Sequence, residues 1–203
     1  MSSSREKILG RVRDALAPLK TRAAHPDFAD KTATMPNLPT GDITALFKQR
    51  LQLVNGIAFD DAAALATWLK SEGHVRGYCD PALWPSLKAS FSDSFKVELS
   101  FDRTRVDDYQ FGITRAVGAI AETGSIILND NATSSRLGAL APWVHIALVS
   151  KSQIYPDLVS AVTSLGDDPN VIWCTGPSKT ADVEGILIQG VHGPGVQIAL
   201  LGD

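Results

Sequence analysis

Cysteine is scarce in this 203-residue chain: the only two, Cys79 and Cys174, lie far apart and form no C-x-x-C pair. Closed zinc sites and iron–sulfur clusters need several ligands at short spacing. The four histidines offer no substitute, because none belongs to an H-x-x-H or H-E-x-x-H pattern. We therefore expect no metal or cofactor in this chain, and both cysteines are predicted to pack as small apolar side chains.

Strong net charge and long apolar runs are also missing. The net charge is −3 at pH 7, so the chain has no general attraction for phosphate backbones, and nucleic acid is not an expected partner. No run approaches the roughly 18 apolar residues that a membrane span requires. The amino terminus is Ser-rich and charged where a secretory signal needs an apolar segment. We expect a cytoplasmic protein.

What is present is the composition of a globular domain, with 44% hydrophobic and 20% charged residues. An amphipathic helix is predicted from Arg5 to about Lys20, because Ile8, Val12 and Leu16 recur at helical spacing. Residues 3–6 fit the S-x-x-E capping box that starts many helices. This first segment covers residues 1–20.

Residues 21–42 mix Ala, Thr and Asp with three prolines and follow neither helical nor strand periodicity, which predicts a linker. From residue 43, short apolar runs alternate with helical patterns, as is typical of βα units. We therefore predict that residues 43–203 form an α/β domain. Its fold class is Rossmann-like, with a mainly parallel sheet and flanking helices.

The predicted elements of this domain follow from apolar periodicity and from cap and turn residues. The predicted helices are Ile43–Val54, Ala62–Leu69, a short one after Asp80-Pro81 toward Leu87, and Pro156–Leu165. The predicted strands are Ile57–Phe59, Val75–Cys79, Val97–Phe101, Val144–Val149, Val171–Cys174 and Gln197–Leu201, and Thr114–Ala121 and Ser125–Leu128 flank a Thr-Gly turn.

Glu122 stands in the first of three clusters that interrupt apolar strands, in the sequence Ala-Glu-Thr-Gly-Ser between two apolar runs. Burial at such a turn raises the pKa of a carboxylate and makes it a proton carrier or an acyl acceptor. The alternative is a structural Glu that binds turn amides or pairs with an Arg.

The second cluster, residues 176–184, follows the strand Val171–Cys174. Ser178 or Thr180 is a candidate N-cap for a helix whose first turn carries Asp182 and Glu184. The backbone N–H groups of such a helix, together with Lys179, would hold a carboxylate or a phosphate. Ordinary capping explains the same residues equally well.

The third cluster displays His192 on a loop rich in Gly and Pro, where a neutral imidazole exchanges protons near pH 7. A His that only binds its own loop is the alternative. Arg136, between the first and second clusters, is a candidate for bidentate recognition of a carboxylate, although a surface Arg fits equally. His145 lies in a predicted strand and is interpreted as a core residue.

Four segments in this order, Ala119–Ser125, Arg136–Pro142, Gly176–Glu184 and Gly190–Pro194, resemble the LUD-domain family, within it the lactate utilization C proteins. The resemblance covers roughly Ile43 to the carboxyl end. It implies a fold similar to the NagB/RpiA/CoA-transferase superfamily. It also implies a role in oxidising L-lactate to pyruvate, in a system whose iron–sulfur clusters are carried by partner subunits.

Three functional hypotheses follow. In the first, Arg136, Lys179 and the helix start near Thr180 hold a small anionic ligand, while Glu122 or His192 moves a proton. In the second, the chain is a non-catalytic assembly subunit for iron–sulfur partner proteins and uses its amino-terminal helix for docking. In the third, Glu122 is an acyl-transfer nucleophile toward a CoA thioester. The first hypothesis predicts that Glu122, Lys179 and His192 line one cleft.

Overall fold

The computed structural model describes residues 3–19, 24, 41–165, 170–181 and 187–202. The chain divides into two compact units, Met1–Ala33 and Thr34–Asp203. Nearly all of the predicted linker lies outside the described residues.

The first unit contains one described helix, α1 (Ser4–Leu16). Its capping box is formed as predicted: the Ser3 hydroxyl accepts a hydrogen bond from the Glu6 N–H, and the Glu6 carboxylate accepts one from the Ser3 N–H. The helix ends at Leu16, two residues before Pro18, earlier than the predicted Lys20, because proline cannot continue the hydrogen-bond ladder.

The second unit is built on a six-stranded sheet in which all neighbouring strands are parallel, so the predicted α/β fold class is confirmed. The strands, in sheet order, are β1 (Ile57–Phe59), β12 (Val196–Gly202), β7 (Val144–Ser150), β4 (Phe111–Arg115), β2 (Arg76–Cys79) and β3 (Lys96–Glu98).

Helices cover both faces of this sheet, as parallel sheets require. One face carries α3 (Ala62–Ser71) and α4 (Trp84–Leu87), whose apolar side chains form one core with alternate residues of the central strands. The other face carries α2 (Ile43–Leu53) and α5 (Arg136–Leu140). There Phe47 and Leu51 pack into a second core with Ala147 and Ala199.

A second, four-stranded sheet contributes to that second core. Its strands, in sheet order, are β8 (Ile154–Tyr155), β5 (Gly118–Ile120), β6 (Ser125–Asn129) and β9 (Val171–Cys174). The helix α6 (Leu158–Ser164) packs on β5 and β8, and a separate hairpin joins β10 (Lys179–Ala181) to β11 (Leu187–Gln189).

Two strand predictions are wrong in their pairing. The run Thr114–Ala121 is not one strand, since Thr114 belongs to β4 of the main sheet and residues 118–120 form β5 of the second sheet. Val171–Cys174 has the predicted bounds but pairs antiparallel with β6 in a second sheet, outside the single, mainly parallel sheet that the sequence predicted. Among the helices described, none has the length and apolar character needed to cross a membrane.

Candidate functional site

A cleft of about 430 Å³ lies where β9 and the loop that leads into β10 meet the amino end of β12, and we call it the hairpin cleft. It includes three residues that the sequence analysis proposed, namely Ser178, Lys179 and His192. Its lining residues are Leu140, Ile172, Trp173, Cys174, Thr175, Gly176, Pro177, Ser178, Lys179, His192, Gly193, Pro194 and Gln197.

Backbone hydrogen bonds tie the two loops of this cleft together. The Ser178 N–H donates to Pro194 O at 2.9 Å, and the Gly190 N–H donates to Ser178 O at 2.9 Å. The second bond continues the antiparallel register in which Lys179 pairs with Gln189. Residues some 15 positions apart in sequence are thereby held on the two sides of one cleft.

Gly176 sets the position of the first loop. Its φ is +77°, in the left-handed region, and a Cβ built on it would lie 2.1 Å from Val54 O, so only glycine fits. The loop therefore approaches the end of α2 directly. Lys179 Nζ donates to the same Val54 carbonyl at 3.3 Å. A cation is favourable there, since carbonyl groups without helical partners give the carboxyl end of a helix a partial negative charge.

The prediction of a helix after Ser178 is wrong. Lys179–Ala181 is the strand β10, in which Thr180 pairs with Ile188 of β11. A local pattern that suits a helix cap is overridden here by pairing with a strand later in the chain, and Thr180 starts no helix. Asp182 and Glu184 lie outside the described residues.

Glu122 does not line the hairpin cleft. The residue is 7% exposed, and its Oε2 accepts a hydrogen bond of 3.3 Å from the Leu158 N–H in the first turn of α6. The Glu122 N–H donates to Pro156 O. The prediction that Glu122 joins Lys179 and His192 in one cleft is therefore wrong, and its observed contact is the turn-amide alternative.

Arg136 also lies outside the hairpin cleft. Its guanidinium binds Asp130 through two contacts of 2.9 Å, Nε to Oδ1 and Nη2 to Oδ2. The fork that was predicted to hold a ligand carboxylate thus holds a carboxylate of the chain itself. The pair borders a neighbouring cleft of about 610 Å³ that contains Ser134 and Ser135, and Leu140 lines both clefts.

A row of buried polar side chains runs inward from the hairpin cleft, and sequence reasoning identified only its middle member. Gln197 of β12 lines the cleft, and its Oε1 is 3.0 Å from His145 Nδ1 on β7. His145 Nε2 is 2.9 Å from the Thr114 hydroxyl on β4. Burial lowers the pKa of His145 to about 4, with the Gln197 hydrogen bond opposing that shift, so the imidazole is neutral at pH 7.

The signal for Gln197 was present in the sequence. It alternates with the apolar Ile198 and shares the face of β12 that carries the buried Ala199 and Leu201. A polar residue at a buried strand position requires a partner. The sequence gives no indication of that partner, because Gln197 and His145 are 52 residues apart and meet only through strand register.

Hydroxyl groups form a second polar row at the cleft. Thr175, on its edge, is 2.7 Å from Ser125 through their hydroxyl oxygens, and Ser125 is 2.7 Å from Thr123 in the same way. Cys174 also lines the cleft, but burial raises the pKa of its thiol to about 11. The thiol is therefore protonated at pH 7, and the cleft offers hydrogen-bonding groups instead of a thiolate nucleophile.

Metal-binding groups are not assembled around the cleft. In the parts of the chain that the structure describes, no group of three or more His, Cys, Asp or Glu side chains is placed to hold a metal ion. The chemistry of the cleft therefore rests on the Lys179 ammonium, the exposed His192 imidazole, hydroxyls and the Gln197 amide.

Comparison with known proteins gives a consistent result. The model of the LUD domain family matches residues 82–201, more than half of the chain. Lactate utilization protein C of Bacillus licheniformis is 35% identical over 98 residues, which cover 44% of this chain and 41% of that protein. Lactate utilization protein C of Deinococcus radiodurans is 32% identical over 131 residues, or 62% of each chain.

A crystal structure of a DUF162 family protein from Deinococcus radiodurans has the same fold, with a TM-score of 0.59 over 81% of this chain and 100% of that one. At 23% identity the likeness concerns the fold alone. The alignment with the Bacillus licheniformis relative spans less than half of that relative's length. All four polar segments singled out in the sequence lie within the family match.

Proposed function

This chain belongs to the LUD domain family, and from that premise we propose that it is a component of an L-lactate utilization system that oxidises L-lactate to pyruvate. In this proposal the hairpin cleft binds a small carboxylate. The observation that carries the proposal is that a cation, Lys179, and an imidazole, His192, line one cleft beside Ser178.

The charges of the cleft favour an anion. Lys179 is exposed, and within the described residues its ammonium group makes one hydrogen bond, to Val54 O at 3.3 Å, whereas an ammonium group has three donors. Lactate and pyruvate each carry one negative charge and need little space. A cleft of about 430 Å³ is ample for either.

His192 supplies the acid–base group in this proposal. Its imidazole is exposed on the cleft, and an imidazole ring has nitrogens that can accept and donate a proton. Conversion of L-lactate to pyruvate removes two electrons and two protons. We assign the proton of the 2-hydroxyl to His192. The C2–H bond would break at the interface with the partner subunits, whose iron–sulfur clusters would take the two electrons while the C2 proton passes to a base of those subunits or to water.

A second candidate role is assembly without catalysis, and α1 is the observation that favours it. Its apolar side chains Ile8, Val12 and Leu16 are exposed, with 62% of Ile8 accessible to solvent. A helix with an exposed apolar stripe gains stability by burying that stripe on a partner. Iron–sulfur subunits of the same system are the partners we propose for it.

Acyl transfer by Glu122 has less support. A nucleophilic carboxylate needs an open face toward the thioester, whereas Glu122 is buried and its carboxylate binds the Leu158 N–H.

Calorimetric titration of L-lactate into the purified chain at pH 7 tests the ligand proposal. We expect saturable binding that weakens at least about tenfold in Lys179→Met, because a charge-assisted hydrogen bond contributes about 1.5–3 kcal/mol. Lys70→Met, on α3 at the other face of the sheet, is the matched control and should bind like the parent. Heat-denaturation curves of each variant check that the fold is intact.

Absence of lactate and pyruvate binding, combined with capture of iron–sulfur proteins by the full chain and loss of that capture in Val12→Asp, would favour the assembly role over the ligand role.

A further inference from the structure

We propose that Gln197 contacts the ligand of the hairpin cleft by donating an amide N–H to a ligand oxygen, and that His145 is a positioning residue that fixes the orientation of this amide. This inference rests on the proposed function, since it assigns a contact to the small carboxylate proposed for the cleft.

Gln197 lies at the inner end of the cleft. It is 2% exposed, yet it is one of the residues that line the cleft. Its position directly follows the loop that carries His192 and Pro194, so the amide lies at the amino end of β12 beneath that loop. A ligand held by Lys179 and Ser178 at the rim reaches this amide by filling the cleft.

The hydrogen bonds of Gln197 determine which of its amide atoms is available. The Ile198 carbonyl can only accept, so the amide atom 3.4 Å from it is the nitrogen. The amide oxygen therefore faces His145, whose Nδ1–H donates to it at 3.0 Å. An amide nitrogen has two hydrogens, and among the residues that the structure describes only the Ile198 carbonyl accepts one.

The remaining N–H is thus a buried donor without a described acceptor. Leaving such a donor unpaired destabilises the folded state, and buried polar groups in folded proteins are nearly always paired. In this proposal an oxygen of the bound carboxylate accepts this N–H in a charge-assisted hydrogen bond. The same N–H cannot bind a cation, so Gln197 and Lys179 at the rim both favour an anionic ligand.

His145 can hold the amide because it is itself fixed on both sides. Donation from Nδ1 to Gln197 leaves Nε2 as the acceptor, and the Thr114 hydroxyl donates to it at 2.9 Å. The three side chains stand on adjacent strands β12, β7 and β4, with Gln197 and His145 directly opposite in register. Rigid strands therefore place the donor before any ligand arrives.

Nuclear magnetic resonance of the full ¹⁵N-labelled chain tests the proposal, with L-lactate as the probe at pH 7. The side-chain amide signals of Gln197 are assigned from their disappearance in Gln197→Glu. The backbone amide signals of Ser178 and Gly193 report binding at the rim independently of Gln197. We expect all three sets of signals to shift with one dissociation constant.

Two other outcomes separate the two proposals. Shifts at Ser178 and Gly193 without any shift of the Gln197 side-chain amide would overturn the assigned contact and leave the ligand-binding function standing. No saturable shift at any of the three would overturn the ligand-binding function and the contact together.

Variants test the roles of the two residues. Gln197→Glu replaces the donor with an acceptor and should weaken L-lactate binding at least about tenfold. Gln153→Glu, an exposed position in the turn after β7, makes the same change of charge outside the lining of the cleft and should bind like the parent within about twofold. Equal weakening by both variants would mean a general charge effect and would overturn the contact.

His145→Phe removes both ring hydrogen bonds but keeps a ring in place. We expect the Gln197 amide signals to move in the ligand-free variant and the dissociation constant for L-lactate to rise. A merely structural His145 would lower thermal stability with both of these readouts unchanged, and that result would overturn the positioning role.

Discussion

His145 is a fully buried histidine whose two ring nitrogens both have partners on neighbouring strands. Burial disfavours the charged imidazolium and lowers the pKa of His145 from 6.5 to about 4. In the unfolded chain the same imidazole is exposed and takes up a proton near pH 6.5. Acid therefore favours the unfolded state at this position.

We predict that His145 makes the free energy of unfolding fall as the pH drops from about 6.5 to about 4. Above that window the imidazole is neutral in both states, and below it both states are protonated, so the loss levels off at about 3 kcal/mol. Urea denaturation between pH 7.5 and 4 measures this loss, as the difference in the pH dependence of the free energy of unfolding between the parent and His145→Gln. Parallel curves for the parent and the His145 variant would contradict the prediction.

Glu122 has a structural contact, which leads to a second prediction. Its carboxylate accepts a hydrogen bond from the Leu158 N–H at the start of α6, where a negative charge is stabilised by the helix dipole. Glu122→Gln should lower the free energy of unfolding by roughly 0.5–1 kcal/mol and leave L-lactate affinity unchanged within about twofold. Glu72→Gln, at the carboxyl end of α3, should not destabilise the chain. Loss of lactate-dependent growth in Glu122→Gln with full stability would instead support the catalytic role predicted from sequence.

The contact between α5 and the main sheet requires a glycine at position 112. A Cβ added to Gly112 of β4 would lie 1.8 Å from the Gly138 carbonyl oxygen of α5, and a backbone atom cannot move aside as a flexible side chain can. The helix therefore lies directly on β4, between the two clefts described above.

Gly112→Ala should lift α5 from the sheet and lower the free energy of unfolding by about 2 kcal/mol or more. It should also weaken L-lactate binding, because Leu140 of α5 lines the hairpin cleft. Gly10→Ala is the matched control: a Cβ there meets nothing within 4 Å, and alanine favours the helix by about 1 kcal/mol. Chemical denaturation of both variants gives the comparison, and equal stability of the two would contradict the packing argument.

The chain as a whole is expected to carry no redox metal. Its two cysteines are in separate elements, β2 and β9, and burial raises the pKa of Cys79 to about 12 and that of Cys174 to about 11. Both thiols are therefore protonated at pH 7, and neither is available as a thiolate ligand. We predict a colourless purified chain with less than about 0.1 metal ions per molecule by elemental analysis. A stoichiometric content of iron or zinc that survives chelation would show an unrecognised ligand set.

Much of the fold was predictable from periodicity and turn chemistry. Strands β1 and β9 have the predicted bounds, α2 ends one residue before the predicted end, and α3 begins at the predicted Ala62. The S-x-x-E pattern at residues 3–6 gave the start of α1. These features depend on neighbours a few residues apart, which is the range over which helix caps and apolar alternation act.

Pairing between distant segments was not predictable in the same way. Residues 179–181 carry the signals of a helix start, but residues 187–189 pair with them as a strand and displace that helix. Gly118–Ile120 continues the apolar run from β4 yet turns into another sheet, and this turn carries Glu122 to α6, away from the cleft.

The candidate site also has one part that local sequence predicts and another part that only strand pairing brings together. Ser178, Lys179 and His192 were recognisable in the sequence because glycine and proline expose polar groups on loops. Backbone hydrogen bonds of Ser178 to Pro194 and to Gly190 bring these loops together. Gln197 and Thr114 became part of the site through strand register, which places them on either side of His145. Local sequence sets which backbone shapes a segment favours, whereas burial of apolar faces across the whole chain selects which segments become neighbours.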